Sequence, residues 1–159
     1  MRFIDDNDRF GLLVSPIPGQ RRIFRFQLII RGQLVGDREG SIIGSVMQGL
    51  KDQQHIDDER LDLLDTDPAA FMELFAVDQF LHDSTMMSAE SLDGWATYSY
   101  VRAGRFVVVA QEYVGWEEVV GAYGEVVSLK TGPILVANID AAEFDSIVDA
   151  ARSYWRKHQ

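Results

Sequence analysis

The apolar and polar positions of the first 35 residues follow the two-residue period of β-strands. One face of segment 23–30 carries Phe24, Phe26 and Leu28. A short apolar run at 10–15 precedes this segment, and Arg-Gly-Gln at 31–33 has the composition of a tight turn. The pattern therefore predicts an N-terminal antiparallel meander.

The period then changes to that of α-helices. A first amphipathic stripe consists of Ile42, Ile43, Val46, Met47 and Leu50, with Asp37 or Ser41 placed to cap its start. A second helix is predicted to begin with Asp67 as N-cap and Pro68 at its first position, and to run to about His82. Its inward residues are expected to be Phe71, Leu74, Phe75 and Leu81.

Strand patterns return in the C-terminal half. Residues 106–110 are apolar throughout, which predicts a central strand covered on both faces. Two further strands, at 125–129 and 134–138, flank Lys-Thr-Gly-Pro at 130–133, which has the composition of a hairpin turn. A capping sequence at Asp140 starts a last helix, whose apolar stripe is Phe144, Ile147, Val148, Ala151, Tyr154 and Trp155.

Together these elements predict one α+β domain over residues 1–159. Its core is a mostly antiparallel β-sheet with about three helices packed against it, the C-terminal helix being the last element. Nearly half of the residues are apolar (47%), which is enough for one hydrophobic core.

The net charge of −10 is concentrated in one segment. Residues 53–93 contain eleven acidic residues and one basic residue, so they account for the whole imbalance. A field of this sign repels nucleic acid and anionic lipid, and it speeds the encounter with a basic partner. The same charge is also typical of a solvated face that keeps a protein in solution.

The sequence carries no signature of an enzyme, a metal site or a cofactor. It has no cysteine, no phosphate-binding glycine loop, no nucleophile elbow, and no pair of its three histidines at metal-binding spacing. A catalytic site with an unrecognised histidine or carboxylate remains an alternative. Its best candidates, Asp78, His82 and Asp83, would have to meet at the base of a deep cleft.

Two short motifs resemble a known family. The strand 24–31 leads into Gly32-Gln-Leu-Val-Gly-Asp37 and a helix, and the last helix carries Phe144-Asp145-Ser146-Ile147. This order is similar to that of small bacterial immunity proteins of contact-dependent and polymorphic toxin systems, in particular the immunity protein 42 family. The resemblance implies a non-catalytic protein that binds and neutralises a cognate toxin in the producing cell.

An acidic inhibitor suits a basic nuclease-type toxin, because nucleases bind phosphate backbones. The residues expected to contact such a toxin are Asp57, Asp58, Glu59, Asp62, Asp65, Trp95 and Trp116, the tryptophans serving as apolar anchors. The alternative is a regulatory or scaffold module that is unrelated to toxins.

The sequence favours a cytoplasmic protein. Acidic residues at 5 and 6 interrupt the N-terminus where a secretory signal would be apolar, and no apolar run reaches the roughly 18 residues of a membrane-spanning helix. Nucleic acid and membrane are not expected partners. An exposed strand edge or the Trp155 end of the last helix would permit a homodimer, but the sequence selects no oligomeric state.

Overall fold

The computed structural model describes the backbone of residues 1–121 and 124–158, and the side chains of residues 1–116 and 130–158. It shows an α+β fold, as predicted. Its strands are β1 (Arg2–Ile4), β2 (Phe10–Pro16), β3 (Ile23–Ile30), β4 (Gln33–Val35), β5 (Gly40–Ile42), β6 (Trp95–Arg102), β7 (Arg105–Gly121) and β8 (Gly124–Asp140). Its α-helices are α1 (Ile43–Lys51), α2 (Leu63–Thr66), α3 (Pro68–Val77), α4 (Gln79–Thr85) and α5 (Ala141–Lys157).

The strands form two antiparallel sheets rather than one. The first sheet is the predicted meander, in the order β1-β2-β3-β4, with β5 pairing beside β4 along β3. The second sheet is β6-β7-β8. The turns at 31–32 and 103–104 both have two residues with positive φ, the geometry that joins two twisted antiparallel strands.

The middle of β7 is buried on both faces, as its composition predicts. Residues 106–110 are at most 5% exposed. Phe106, Val108 and Ala110 face the first sheet, α1 and α5, whereas Val107 and Val109 face the layer formed by α2, α3 and α4. The second sheet therefore lies between two apolar clusters, and the two sides of β7 connect them.

Stacked aromatic rings mark the centre of the larger cluster. The rings of Phe106 and Phe144 lie 3.7 Å apart between centroids and are nearly parallel, and Phe10 meets both at 5.2–5.7 Å. All three side chains are at most 2% exposed. This contact joins β2, β7 and α5, and so fixes the last helix against both sheets.

The helix count is five among the described residues, not about three. The helix that was expected to run from Pro68 to about His82 ends at Val77, because Asp78 has extended backbone angles and its side chain accepts a hydrogen bond from the Leu81 N–H as the N-cap of α4. The acidic stretch adds a 3₁₀ turn at Glu59–Asp62 and the one-turn helix α2.

The predicted turn at 130–133 is wrong. These residues lie inside the continuous strand β8, where the ladder to β7 shifts register between Gln111 and Gly115. The irregular ladder accommodates Gly132 and Pro133, and the Gln111 side chain donates hydrogen bonds to the Thr131 hydroxyl and the Gly132 carbonyl. Turn composition therefore marked a bulge rather than a reversal of the chain.

The start of α1 also differs from expectation. Its N-cap is Ile42, which makes no side-chain cap and is 50% exposed, so it is not part of the buried stripe. The Ser41 hydroxyl is instead buried and donates to Ser91, and Asp37 accepts from the Glu39 N–H. The caps predicted at Asp67 and Asp140 are confirmed.

We expect Phe144→Ala to lower the free energy of unfolding by about 3–5 kcal/mol, since it removes a stacked ring from a closed core. Phe80→Ala is the matched control, because Phe80 is a helical phenylalanine that is 72% exposed. Urea unfolding of both variants is the measurement. Equal losses in the two variants would contradict the assignment of Phe144 to the centre of the core.

Candidate functional site

Residues 56–65, here called the acidic segment, are anchored to the end of β6 by their few apolar residues. Leu61 is 2% exposed and packs with Ile56 in the smaller cluster. The Ile56 N–H donates to the Val101 carbonyl at 3.0 Å. Glu59, Asp62 and Asp65, whose side chains are not needed for packing, are exposed. The segment therefore presents its charge outward from a fixed backbone.

Arg60 holds two of the acidic side chains in place. Its guanidinium forms a forked pair with Asp58, at 2.7–3.1 Å, and also reaches Asp78 at 2.9 Å. Asp58 additionally caps the 3₁₀ turn by accepting from the Arg60 N–H. Arg60 thereby ties the acidic segment to the junction between α3 and α4, 18 residues further along the chain.

These contacts lower the pKa of both carboxyl groups. For Asp58 the main cause is the hydrogen bond from the Arg60 side chain, followed by the one from its backbone N–H. For Asp78 the backbone N–H of Leu81 comes first and the Arg60 side chain second. Both groups therefore keep their negative charge to lower pH than an ordinary aspartate does.

Arg102, at the end of β6, is a second internal counter-ion. Its Nη1 pairs with Asp62 at 2.5 Å, and its Nε lies 3.8 Å from Asp57. The Asp57 side chain is fully exposed, so the longer contact is a weak one. Of the predicted acidic residues, Asp57, Asp58 and Asp62 thus contact two arginines, which offset part of their charge.

The most exposed large apolar side chains of the described residues flank Asp78. Val77 is 82% exposed and Phe80 72%, and neither was among the expected contact residues. The sequence indicates an exposed apolar surface here, because segment 68–77 is apolar on almost every side of the helix and has Glu73 as its only charged residue. Such a helix exposes apolar groups unless it is enclosed. Both side chains lie at the break between α3 and α4 and are exposed.

The structure does not bring the two predicted tryptophans to this cluster. Trp95 is half-buried against the larger core, at the opposite end of β6 from Arg102, about 23 Å along the strand at 3.3 Å per residue. Trp116 is 71% exposed, but it lies further on, where β7 has continued past the last residue paired with β6. Val77 and Phe80 instead lie within two residues of Asp78, which Arg60 joins to Asp58.

The residues of the alternative catalytic site, Asp78, His82 and Asp83, do not all contact one another. Asp78 pairs with Arg60, whereas Asp83 pairs with His82 at 3.1 Å and accepts from Gln79. The Asp83 side chain is 63% exposed. Within the described residues, no group of three or more His, Cys, Asp or Glu side chains is placed to hold a metal ion.

Comparison with known proteins adds no assignment: no family model, curated protein or solved structure matches this chain. In the described part of the chain, no helix is long and apolar enough to cross a bilayer.

We expect Arg60→Gln to weaken the fold in a pH-dependent way. A carboxyl group whose pKa is lowered by folding contributes stability above its ordinary pKa of 3.8, and this is lost as the pH falls through the lowered value. The stability difference between the wild type and Arg60→Gln should therefore shrink as the pH is lowered from about 5 to about 2. Urea unfolding across this range measures it.

The control is Arg38→Gln, at an exposed arginine that makes no ion pair among the described residues. Its stability difference from the wild type should not change with pH. If the Arg60→Gln difference were also independent of pH, the forked contact would not be holding Asp58 and Asp78 ionised.

Proposed function

We propose that this chain is a non-catalytic binding protein that docks a basic protein partner. The docking surface, here called the acidic–apolar surface, consists of Asp57, Asp58, Glu59, Asp62, Asp65, Asp78, Val77 and Phe80. The observation that carries the proposal is the exposure of Val77 and Phe80 beside carboxylates that Arg60 holds in place.

The charged and the apolar side chains of this surface would act on different steps of binding. The acidic residues would speed the encounter with a basic partner and orient it, an effect that salt weakens. Charged rims contribute little to the lifetime of a complex, which depends on apolar groups buried near its centre. Val77 and Phe80 supply such groups without a rearrangement of the fold, because they are already exposed.

The form of this function that we favour is immunity to a toxin. The resemblance of the segments 24–37 and 144–147 to immunity proteins supports it, and so does the acidic charge, which suits a basic nuclease-type toxin domain. A bound acidic protein would occupy the groove that the nucleic acid needs. In the second form, a regulatory or scaffold module, the same surface would bind a basic protein that is not a toxin.

A pull-down from the native host at low and high salt identifies the partner, and binding kinetics with the purified partner then test the surface. We expect Asp57→Lys/Glu59→Lys/Asp65→Lys to slow association by at least about tenfold at low salt, and the loss to shrink at high salt. Phe80→Ser should instead speed dissociation at both salt concentrations, by about 30-fold for an anchor worth about 2 kcal/mol.

The matched control is Asp6→Lys/Glu39→Lys/Asp145→Lys, which makes the same change of charge at exposed positions outside the acidic–apolar surface. If this control slowed association as much as the first triple variant, net charge rather than the surface would direct the partner. A partner that binds all variants equally would contradict the proposed surface. A basic partner without toxic activity would retain the surface but exclude immunity.

A further inference from the structure

A cavity of about 400 Å³ lies on a different part of the molecule from the acidic–apolar surface. Its lining residues come from three elements: Arg21 and Arg22 from the loop before β3, Ile42 and Gly44 from the start of α1, and Trp155 from the end of α5. It brings two basic side chains beside an aromatic ring.

Gly44 leaves the benzo edge of the Trp155 indole uncovered on the α1 side. A methyl group added there would lie 3.6–3.7 Å from Cη2 and Cζ2 of Trp155, which is ordinary contact distance. The indole ring therefore stands one methyl group away from the α1 backbone. Ile42, half-exposed at 50%, adds a second apolar wall. The cavity thus offers a flat apolar ligand an indole ring on one side and an aliphatic side chain on another.

The two arginines give the cavity a positive charge. Both are exposed, and neither belongs to an ion pair among the described residues. The first turn of α1 has no acidic residue of its own, although the Ile42 N–H donates to the Glu90 carboxylate at 3.2 Å. The two guanidinium groups therefore outnumber the one carboxylate at this end of α1. Guanidinium groups bind carboxylate and phosphate oxygens in a forked geometry.

We propose that this cavity binds a small organic anion, a phosphate or carboxylate group carried on a flat apolar ring. Arg21 and Arg22 hold the oxygens, while Trp155 and Ile42 contact the ring. Binding here does not depend on the proposed protein partner, because the cavity shares no residue with the acidic–apolar surface.

Titration of the full-length protein with phenyl phosphate, followed by ¹H–¹⁵N correlation NMR in phosphate-free buffer, tests the proposal. The Gly44 amide and the Trp155 indole N–H are the reporters, the latter assigned with Trp155→Phe. Inorganic phosphate supplies the charge without the ring, and benzyl alcohol supplies the ring without the charge. We expect phenyl phosphate to bind at least about tenfold more tightly than either.

Three variants separate the contributions of the arginines and of the indole ring to the affinity for phenyl phosphate. Arg21→Gln/Arg22→Gln should weaken phenyl phosphate binding by at least about tenfold, since it removes both charged donors. Gly44→Ala should also weaken it, because the added methyl group fills the space beside the indole ring. Arg2→Gln/Arg38→Gln, the matched control at two exposed arginines outside the cavity, should bind as the wild type does.

Several results would overturn the proposal. Unchanged affinity in Arg21→Gln/Arg22→Gln would exclude the two arginines as ligands. Equal affinity for inorganic phosphate and phenyl phosphate would mean that the cavity holds an adventitious ion only. Shifts confined to residues outside the cavity would place the ligand elsewhere. Benzoate in place of phenyl phosphate then distinguishes carboxylates from phosphates as the preferred group.

Discussion

The burial of β7 on both faces is the constraint on which the rest of this structure depends. A strand that is apolar on both sides needs a cover on each. One cover is the first sheet with α1 and α5, which the ring stack of Phe106 and Phe144 joins directly to β7. The other is the layer of α2, α3 and α4, which packs on Val107 and Val109. Both proposed binding surfaces lie on these covers.

The segment that contains the outer helical layer, residues 53–93, accounts for the whole net negative charge of the chain. Arg60 is the only basic residue between positions 53 and 93, and it lies where one side chain reaches both the 3₁₀ turn and the α3–α4 junction. Arg102, at the end of β6, pairs with Asp62 of the 3₁₀ turn. These contacts order the acidic segment at the surface, and ordered charge suits recognition better than a mobile acidic loop does.

The acidic–apolar surface and the cavity beside Trp155 carry opposite charge. The acidic–apolar surface combines carboxylates with exposed Val77 and Phe80, as a docking site for a basic protein would. The cavity beside Trp155 combines two arginines with an indole ring and has the size of a small-molecule site. Because the cavity includes the start of α1, a ligand bound there would contact the cover of β7 opposite the acidic segment.

The sequence by itself determined the elements whose signals are local. The meander, the central position of residues 106–110, and the caps at Asp67 and Asp140 follow from strand alternation, continuous apolar burial and cap chemistry. It also located the acidic segment, since charge can be read from composition. Each of these features depends on residues that are close together in the chain.

Tertiary structure alone decided what depends on distant residues. Asp78 interrupts a helical pattern, where it caps α4 and pairs with Arg60. Val77 and Phe80, on either side of it, are exposed. The turn composition at 130–133 lies within β8 because β7 pairs with it there. Trp95 lies far from the acidic residues because it is at the opposite end of β6 from Arg102, and Trp116 lies beyond that end, on β7. These positions depend on how the strands pair, which no local sequence pattern specifies.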